Sequence, residues 1–460
     1  MIKEYVKLYT YAQLLDYGRP EQKYRLKKLL WFIRNEGLYR TMRKVFVTRM
    51  SKYVNDQTLY VVAKFINKSE TFVTVGVELN KVLYPLSEAT FKVDESNDSL
   101  DYISNTLRSI QSPSNRREAL SMPSLAQFVK EYKLRACDGL NPIILIGCGS
   151  YAWTHILPNI PKNWTFYAAI DLNPALAYKT KEKFQFEHAL TDYKQILDFK
   201  TDAVVIIAGY HSMHFEAVRY FYSLRSTNWI FVEKPPCISS FEALELANLR
   251  KNTDRIYIGY NRPFSKLYGK VKKELIGDTE HPKFITMSIN EVNLKDSHWY
   301  YWDDQMTRIT GNLVHWIDIV VDLVEEAEIE KVEVLQSHST RHKGDDVIVS
   351  ISFRDGSLAT MIGTDQGNKL RGVQEWIEIR VNDKTITIED FSLLKILKNS
   401  KSYIYKYRFR DKGHKTMYKK FVYDCDTNEA MANMRYTNNR LIKKAEILDK
   451  IMGELNGKQG

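Results

Sequence analysis

Cysteine is scarce in this chain of 460 residues, which contains four. They are Cys137, Cys148, Cys237 and Cys425, and no two have the C-x-x-C spacing of redox and zinc motifs. This pattern argues against a disulfide-stapled scaffold and against a zinc site, so we expect no metal. It is typical of a reducing compartment, and we predict a cytoplasmic protein.

Long apolar runs are also lacking. None reaches the roughly 20 residues that a membrane-spanning helix needs, and the first residues, from Met1 to Tyr5, lack the apolar stretch of a signal peptide. Internal repeats and low-complexity segments are absent too. Hydrophobic residues make up 44% of the chain, enough for a core. We therefore expect a folded protein that is soluble or only peripherally attached to a membrane.

Acidic residues are outnumbered by basic ones, which gives a formal net charge of +11. The densest basic stretch, residues 24–52, alternates with apolar residues and predicts one or two amphipathic helices. Such helices fit a peripheral membrane surface or an acidic partner, or are ordinary solvated helices. No helix-turn-helix or aromatic-basic platform accompanies the charge, so we expect no nucleic-acid partner.

Three parts follow one another along the chain. Residues 1–135 begin with helical patterns, then carry strand-like runs at 58–63 and 71–77, a polar stretch at 92–99 and a loop at 112–115. This N-terminal α+β region has no catalytic signature. In residues 136–262, short continuous apolar runs alternate with helical segments, which predicts a parallel sheet covered on both faces.

Residues 263–460 have a different pattern. Their strands, for example Phe284–Ile289, Asp346–Ile351 and Trp376–Val381, alternate apolar and polar residues. A period of two predicts a predominantly antiparallel, open sheet in an α+β domain. A helical pattern from Asn428 to Asn456 closes the chain. The predicted fold class is thus an α/β Rossmann domain, an α+β domain and an extra N-terminal region.

A glycine turn opens the Rossmann part. Gly147-Cys148-Gly149-Ser150-Tyr151-Ala152 matches G-x-G-x-x-A, directly after the apolar run Pro142–Ile146. The first glycine permits the tight turn, the second lets the backbone approach a pyrophosphate, and the small last residue allows close helix–strand packing. The helix N-terminus then favours the anion. The pattern predicts a dinucleotide site.

An acidic residue follows the next predicted strand. The run Phe166–Ile170 ends at Asp171, whose carboxylate can accept hydrogen bonds from the adenosine ribose hydroxyls. The same charge would repel a 2′-phosphate. We therefore expect NAD, with NADP as the alternative.

Two basic side chains are candidates for the chemistry. Lys234 follows the apolar run Trp229–Val232, at the strand end where ligands bind in parallel sheets. Its ammonium can stabilise charge on a substrate oxygen during hydride transfer. His315 and Asp318 share a helix face at i and i+3, and a histidine with a carboxylate beside it can exchange a proton with a substrate hydroxyl near neutral pH.

In combination, these motifs resemble the glucose–fructose oxidoreductase/inositol dehydrogenase (Gfo/Idh/MocA) family, most closely the Rossmann half of its bi-domain oxidoreductases. The likeness covers roughly residues 141–457. Its motifs are the glycine turn, Asp171, the run Asp202–Ala208 with His214, Glu233-Lys234-Pro235, Gly259-Tyr260-Asn261-Arg262, His298-Trp299, Arg308-Ile309, Gly311-Asn312, His315-Trp316-Ile317-Asp318 and Asp411-Lys412-Gly413-His414.

The resemblance implies a Rossmann domain, an antiparallel-sheet domain, NAD(P) and a sugar or cyclitol substrate. Lys234 and His315 would be the catalytic pair. The remaining predicted site residues fall into two groups. Cofactor-binding candidates are Gly147, Gly149, Ser150, Tyr151, Ala152, Asp171, Ala208, His214, Glu233 and Lys234. Substrate candidates are Arg262, Asn290, His298, Trp299, Arg308, Asn312 and Asp318, and Lys266 is a further cation for a diphosphate.

Three positions depart from the family pattern. Gly311 stands where many members have an aspartate, Asn312 where the close branch has a glutamate, and Gly209-Tyr210 where Thr-Pro is common. Two hypotheses follow. The first is an NAD(P)-dependent oxidoreductase acting on a sugar, nucleotide-linked, in glycan or surface-polysaccharide synthesis. The second is a weakly active or inactive NAD-binding scaffold or sensor of a glycan assembly complex. We expect a homo-oligomer in either case.

Overall fold

The computed structural model describes most of the chain from residue 140 onward and shorter pieces before it. The described ranges are 4–10, 25–39, 41–42, 58–65, 71–78, 81–82, 140–172, 174–190, 192–196, 202–224, 227–294, 298–301, 307–368, 372–430 and 436–457. The predicted polar stretch at 92–99, the loop at 112–115 and Cys137 lie outside them.

The N-terminal region contains a small sheet and one helix. The strands are β1 (Glu4–Thr10), β2 (Thr58–Phe65), β3 (Thr71–Glu78) and β4 (Lys81–Val82), and the helix is α1 (Arg25–Glu36). The four strands are antiparallel and follow chain order in the sheet. Both strand-like runs are confirmed. The helical start is wrong, because residues 4–10 form a strand that pairs with β2.

The second sheet is the one predicted to be parallel. Its strands are β5 (Ile143–Ile146), β6 (Phe166–Ile170), β7 (His188–Leu190), β8 (Ala203–Ile207), β9 (Thr227–Glu233) and β10 (Ile256–Gly259). Its helices are α2 (Pro174–Phe184), α3 (His214–Ser223) and α4 (Ser240–Lys251). The strand order is β10-β9-β8-β5-β6-β7, and β5 pairs in parallel with β6 and β8. Full burial of β5 and β8 explains their continuous apolar sequences.

The third sheet has eight strands. They are β11 (Phe284–Asn290), β12 (Ile329–Gln336), β13 (Val347–Phe353), β14 (Leu358–Thr364), β15 (Gln374–Val381), β16 (Lys384–Glu389), β17 (Leu393–Lys398) and β18 (Lys401–Lys406). The order is β12-β13-β14-β11-β15-β16-β17-β18. Pairing is antiparallel except between β11 and β14. Burial alternates along β11 and β13, which confirms the period-two prediction.

Four described helices lie in the same part of the chain as the third sheet. They are α5 (Lys266–Glu274), α6 (Val314–Leu323), α7 (His414–Thr427) and α8 (Asn438–Gly457). The closing helix starts ten residues later than predicted. Asn428 is instead the left-handed residue that ends α7, at φ 57°, a conformation that asparagine tolerates better than most residues.

The described chain divides into two compact units. One comprises Met1–Arg19, Val47–Gly209 and Glu216–Ile230, and the other comprises Pro20–Phe46, Tyr210–Phe215 and Phe231–Gly460. The first unit holds the glycine turn. The second holds Lys234, His315 and the antiparallel sheet.

Helix α1 is part of the basic stretch 24–52 and belongs to the second unit. Arg410 anchors it: the guanidinium lies 4.9 Å from the centre of the Trp31 ring and forms a 3.0 Å ion pair with Glu36. Leu30 and Leu38 remain exposed. Membrane contact through this stretch stays a prediction. Within the described ranges, no helix is long and apolar enough to cross a membrane.

Candidate functional site

The glycine turn follows β5 directly, as the motif predicts. Gly147 has a φ of +93°, and a side chain there would collide with the backbone of Ala208, whose N–H donates to Ile146 at 2.7 Å. Gly149 is the opposite case, because a Cβ there would meet no atom within 4 Å. Gly147 thus closes the turn against β8, while Gly149 leaves open space of the kind that a pyrophosphate needs.

Asp171 comes directly after β6 and faces the turn. Its Oδ2 accepts a 2.7 Å hydrogen bond from the backbone N–H of Cys148. The Cys148 thiol is buried, and burial, followed by the charge of Asp171, raises its pKa well above the ordinary value. The carboxylate therefore lies beside the turn, where the adenosine ribose of a dinucleotide would be read. These residues fit NAD.

The helical segment after the turn is shorter and less regular than the motif predicts. Ser150 is exposed and Tyr151 stacks on His155 with ring centres 4.9 Å apart. A π-helical turn, Ala152–Ile156, and a short 3-10 turn ending at Asn159 then follow. Ala152 is buried, in keeping with the close packing that its small side chain permits.

Lys234 lies immediately beyond the end of β9 and is half-buried. Its Nζ donates a 2.5 Å hydrogen bond to the backbone carbonyl of Gly311, and the Lys234–Pro235 peptide is cis. Burial lowers the pKa of Lys234 to about 8. The nearby Arg262 acts in the same direction, while Glu233 and Glu291 oppose it. The ammonium is therefore mostly protonated at neutral pH yet able to titrate close to it.

His315 lies in α6 and is buried. Its Nδ1 has no hydrogen-bond partner within the described part of the chain. Burial lowers its pKa well below the ordinary value, and the charges of Arg262, Lys234, His414 and Lys412 lower it further. The imidazole is therefore neutral at pH 7.

Asp318 is not the partner of His315, contrary to the sequence expectation. Its carboxylate is fully buried and is bonded to Arg440 at 2.7 Å, Lys444 at 3.0 Å and the Tyr436 hydroxyl at 3.3 Å. His315 and Asp318 do lie in one helix, as predicted, but two cations from α8 form ion pairs with the Asp318 carboxylate. Asp318 is accordingly a buried ion-pair residue, and its contact with a substrate stays a prediction.

Arg262 is also committed inside the protein. Its Nε forms a 2.7 Å ion pair with Glu375, and its guanidinium lies 4.4 Å from the centre of the Trp316 ring. Lys412 pairs with the same carboxylate. Burial would raise the pKa of Glu375, but these two cations outweigh it and lower the pKa to about 2. Glu375 thus neutralises the charge of Arg262, whose contact with a substrate stays a prediction.

Arg308 is engaged in the same way. It bonds to Glu291 at 2.7 Å and to Asp345 at 2.9 Å, and the Tyr301 hydroxyl joins the cluster at 3.2 Å. All three charged side chains are buried. Two carboxylates thus already neutralise the charge of Arg308, and its contact with a diphosphate stays a prediction. Lys266, in contrast, is exposed at the start of α5.

Two residues near Lys234 were missed by the sequence analysis. Glu291, one residue past β11, is a buried carboxylate whose pKa is raised by burial against opposition from Arg308, Asn312 and Lys234. Asn312 hydrogen-bonds to the Glu291 carboxylate. A carboxyl group therefore lies next to position 312, although residue 312 itself is an amide. Tyr300 donates to the Gly311 carbonyl at 3.2 Å. Neither residue lies in a motif that signals such a role.

The other candidates lie in two groups. His214 and Glu233 are buried: Nδ1 of His214 is 2.7 Å from the Pro235 carbonyl, and Glu233 accepts from the Tyr418 hydroxyl. Asn290, His298 and Trp299 are half-buried. Trp299 packs edge-on against His211 and Tyr210, with ring centres 4.7 and 5.5 Å away. The substitution Gly209-Tyr210 therefore contributes to an aromatic cluster beside Trp299.

Comparison with known proteins agrees with this fold. Residues 142–260 match the model of the Gfo/Idh/MocA family, an oxidoreductase family with an NAD-binding Rossmann fold. This segment is similar to that family, and the predicted resemblance, fold class and dinucleotide cofactor are confirmed. No curated protein matches the chain in sequence.

Solved structures show the two-domain fold at low identity. A dehydrogenase from Chromobacterium violaceum superposes with a TM-score of 0.57 and 16% identity, over 70% of this chain and 97% of its own. A 3-ketoreductase from Actinomadura kijaniata, in complex with NADP and TDP-benzene, gives 0.55 and 13%, over 69% and 98%. Levoglucosan dehydrogenase, in complex with NADH and levoglucosan, gives 0.56 and 17%, over 70% and 98%.

Proposed function

We propose that this protein transfers hydride between NAD and a hydroxyl-bearing carbon of a sugar, nucleotide-linked, in glycan or surface-polysaccharide biosynthesis. The observation that carries the proposal is the half-buried ammonium of Lys234 at the end of β9, with a pKa of about 8. A titratable cation at a strand end of a Rossmann sheet suits acid–base and electrostatic catalysis. A scaffold without chemistry has no need of it.

Lys234 and His315 divide the work in this scheme. The bound cofactor supplies the hydride acceptor or donor. Lys234 donates a hydrogen bond to the reacting oxygen and stabilises the negative charge that develops there. His315, neutral and with an unpartnered Nδ1 in the described chain, accepts the hydroxyl proton during oxidation and returns it during reduction.

NAD is the cofactor that the turn favours. The Asp171 carboxylate beside Cys148 would repel the 2′-phosphate of NADP and suits ribose hydroxyls. Its position on the backbone of the turn also makes the carboxylate part of the loop that holds the pyrophosphate.

The proposed substrate class is supported by structural neighbours and by charge. A structural neighbour binds levoglucosan and another binds TDP-benzene. The net charge of +11 favours an anionic substrate. Because Arg262 and Arg308 are neutralised internally, a diphosphate would have to meet other cations, of which Lys266 is exposed.

The test is a spectrophotometric screen of free sugars and sugar nucleotides with NAD and NADP, following the reduced-nicotinamide band. The wild type is compared with Lys234→Ala, His315→Asn and the control Lys331→Ala, whose lysine is exposed on β12. We expect turnover that both site variants lose and the control retains. Absence of turnover with every sugar, despite NADH binding, would refute the sugar assignment.

A further inference from the structure

The backbone carbonyl of Gly311 accepts two side-chain hydrogen bonds. Lys234 Nζ donates to it at 2.5 Å and Tyr300 Oη at 3.2 Å. Gly311 lies in a π-helical turn, Ile309–Leu313, just before α6. Such turns are rare and are found frequently at functional sites. One oxygen therefore joins the candidate catalytic lysine to a tyrosine that no motif identifies.

The Tyr300 ring also explains why position 311 is a glycine. A Cβ at Gly311 would lie 2.6 Å from Cζ of the ring and 2.7 and 2.8 Å from Cε2 and Cε1. Real Cβ atoms do not approach so closely. Gly311 does not have the positive φ that only glycine adopts readily. A residue without a side chain is therefore needed here because of the Tyr300 ring, and not because of the backbone conformation.

Several charges face Lys234 besides this carbonyl. Glu233 adjoins it at the end of β9, Glu291 lies past β11, and Arg262 follows β10. The rings of His211 and His315 are close enough for the ammonium to lower their pKa. Tyr300 stays neutral among them, because burial and then Glu291 raise its pKa above the ordinary value.

We propose that Tyr300 is a positioning residue for Lys234, whose ring holds the Gly311 turn against the ammonium and whose hydroxyl shares the carbonyl that the ammonium binds. A buried carbonyl that loses its hydrogen bond is costly. With Tyr300 in place, Lys234 can turn from Gly311 to a substrate oxygen while the carbonyl keeps a donor. The catalytic meaning of this arrangement rests on the proposed function, but the arrangement itself does not.

The first test measures the pH midpoint of Lys234. Trace acetylation at a series of pH values, quantified by mass spectrometry, reports the fraction of free amine without any need for turnover. In Tyr300→Phe the ammonium becomes the carbonyl's only side-chain donor in the described structure. Its hydrogen bond strengthens, and we expect the midpoint to rise by about half a unit or more.

The control is Tyr301→Phe, at the neighbouring residue, whose hydroxyl bonds to Asp345 and Arg308 instead. It should leave the Lys234 midpoint unchanged. An unchanged or lowered midpoint in Tyr300→Phe, or an equal rise in both variants, would overturn the proposal.

The second test is a steric cycle followed by thermal unfolding. Alanine ordinarily stabilises a helical turn relative to glycine, yet Gly311→Ala should lower the melting temperature because its Cβ meets the Tyr300 ring. In the double variant Gly311→Ala/Tyr300→Ala, the Cβ has room. We expect it to melt above the value that adding the two single effects predicts, whereas additive effects would show that the ring does not hold the turn.

Neither readout depends on catalysis. A protein that oxidises no sugar can still pass both tests, which would leave the positioning role standing and the proposed function refuted. Turnover that depends on Lys234, together with an unchanged Lys234 midpoint in Tyr300→Phe, would support the proposed function and refute the positioning role of Tyr300.

Discussion

The carboxylate of Asp171 accepts a 2.7 Å hydrogen bond from the backbone N–H of Cys148 in the middle of the glycine turn. One side chain thereby fixes the loop and presents a negative charge beside it. These two effects are separable by substitution, since asparagine keeps an acceptor oxygen and loses the charge. We expect the cofactor preference of the protein to depend on the charge.

We predict that Asp171→Asn lowers the ratio of the NADPH to the NADH dissociation constant by about tenfold, which corresponds to ~1.4 kcal/mol. The repulsion of the 2′-phosphate disappears, while the hydrogen bond to Cys148 persists. Fluorescence titration with both nucleotides measures the ratio. In the companion variant Asp171→Ala, which loses both, binding of both nucleotides should weaken. An unchanged ratio in Asp171→Asn would show that the carboxylate does not select the cofactor.

Lys234 should control the alkaline side of the pH profile. Its pKa of about 8 predicts that kcat/KM for reduction falls as pH rises through that value, because the ammonium is lost. Lys234→Arg keeps a positive charge, so the fall in kcat/KM should move to a much higher pH. We expect kcat/KM itself to be reduced by about tenfold or more. A limb that stays near pH 8 in Lys234→Arg would assign it to another group.

The buried imidazoles of His315 and His211 predict a loss of stability in mild acid. Burial is the main cause that lowers the pKa of both rings well below the ordinary value. Just below pH 6.5 the unfolded chain therefore binds more protons, and stability falls as pH falls, by up to about 1.4 kcal/mol per pH unit and ring. Urea unfolding at pH 7.5, 6.5 and 5.5 measures this slope. His315→Asn should flatten it, and an unchanged slope would show that His315 is not buried in the neutral form.

The Asp318 cluster should affect stability before it affects catalysis. Asp318→Asn removes the carboxylate charge that pairs with the buried Lys444 and one of the two that pair with the buried Arg440, which keeps Asp322. Loss of a buried partner of this kind costs ~3–5 kcal/mol. The control Glu328→Gln breaks the exposed pair with Arg354 and should cost less than about 1 kcal/mol. Chemical denaturation compares them. Full stability of Asp318→Asn with lost turnover would restore the catalytic role that its spacing suggested.

The sequence predicted the backbone of the fold better than the partners of its charged residues. Continuous apolar runs located β5 and β8, because strands that are buried on both faces have apolar residues at every position. The alternation of apolar and polar residues located β11 and β13, because these strands are buried on one face. The start of the last helix was misplaced, since Asn428 fits a helical pattern until its left-handed conformation is known.

Charged side chains were harder to predict because their partners are distant in sequence. Asp318 pairs with Arg440 of α8, which is 122 residues away in sequence. Arg262 pairs with Glu375, which is 113 residues away. Glu291 and Tyr300 reach the Lys234 environment only through the third sheet and the π-helical turn. No spacing within a motif indicates which distant residues lie near Lys234. The sequence therefore identified the motif residues as candidates but not Glu291 and Tyr300 beside them.

The most direct test of the central claim is deuterium transfer. The protein is incubated with NADH deuterated at C4 and with a panel of keto-sugars and keto-sugar nucleotides, and the products are analysed by mass spectrometry. The account predicts one deuterium on the carbon of the new hydroxyl group with the wild type and essentially none with Lys234→Ala, although both bind NADH. Absence of deuterium from every product, or equal transfer by Lys234→Ala, would contradict hydride transfer to a sugar assisted by Lys234.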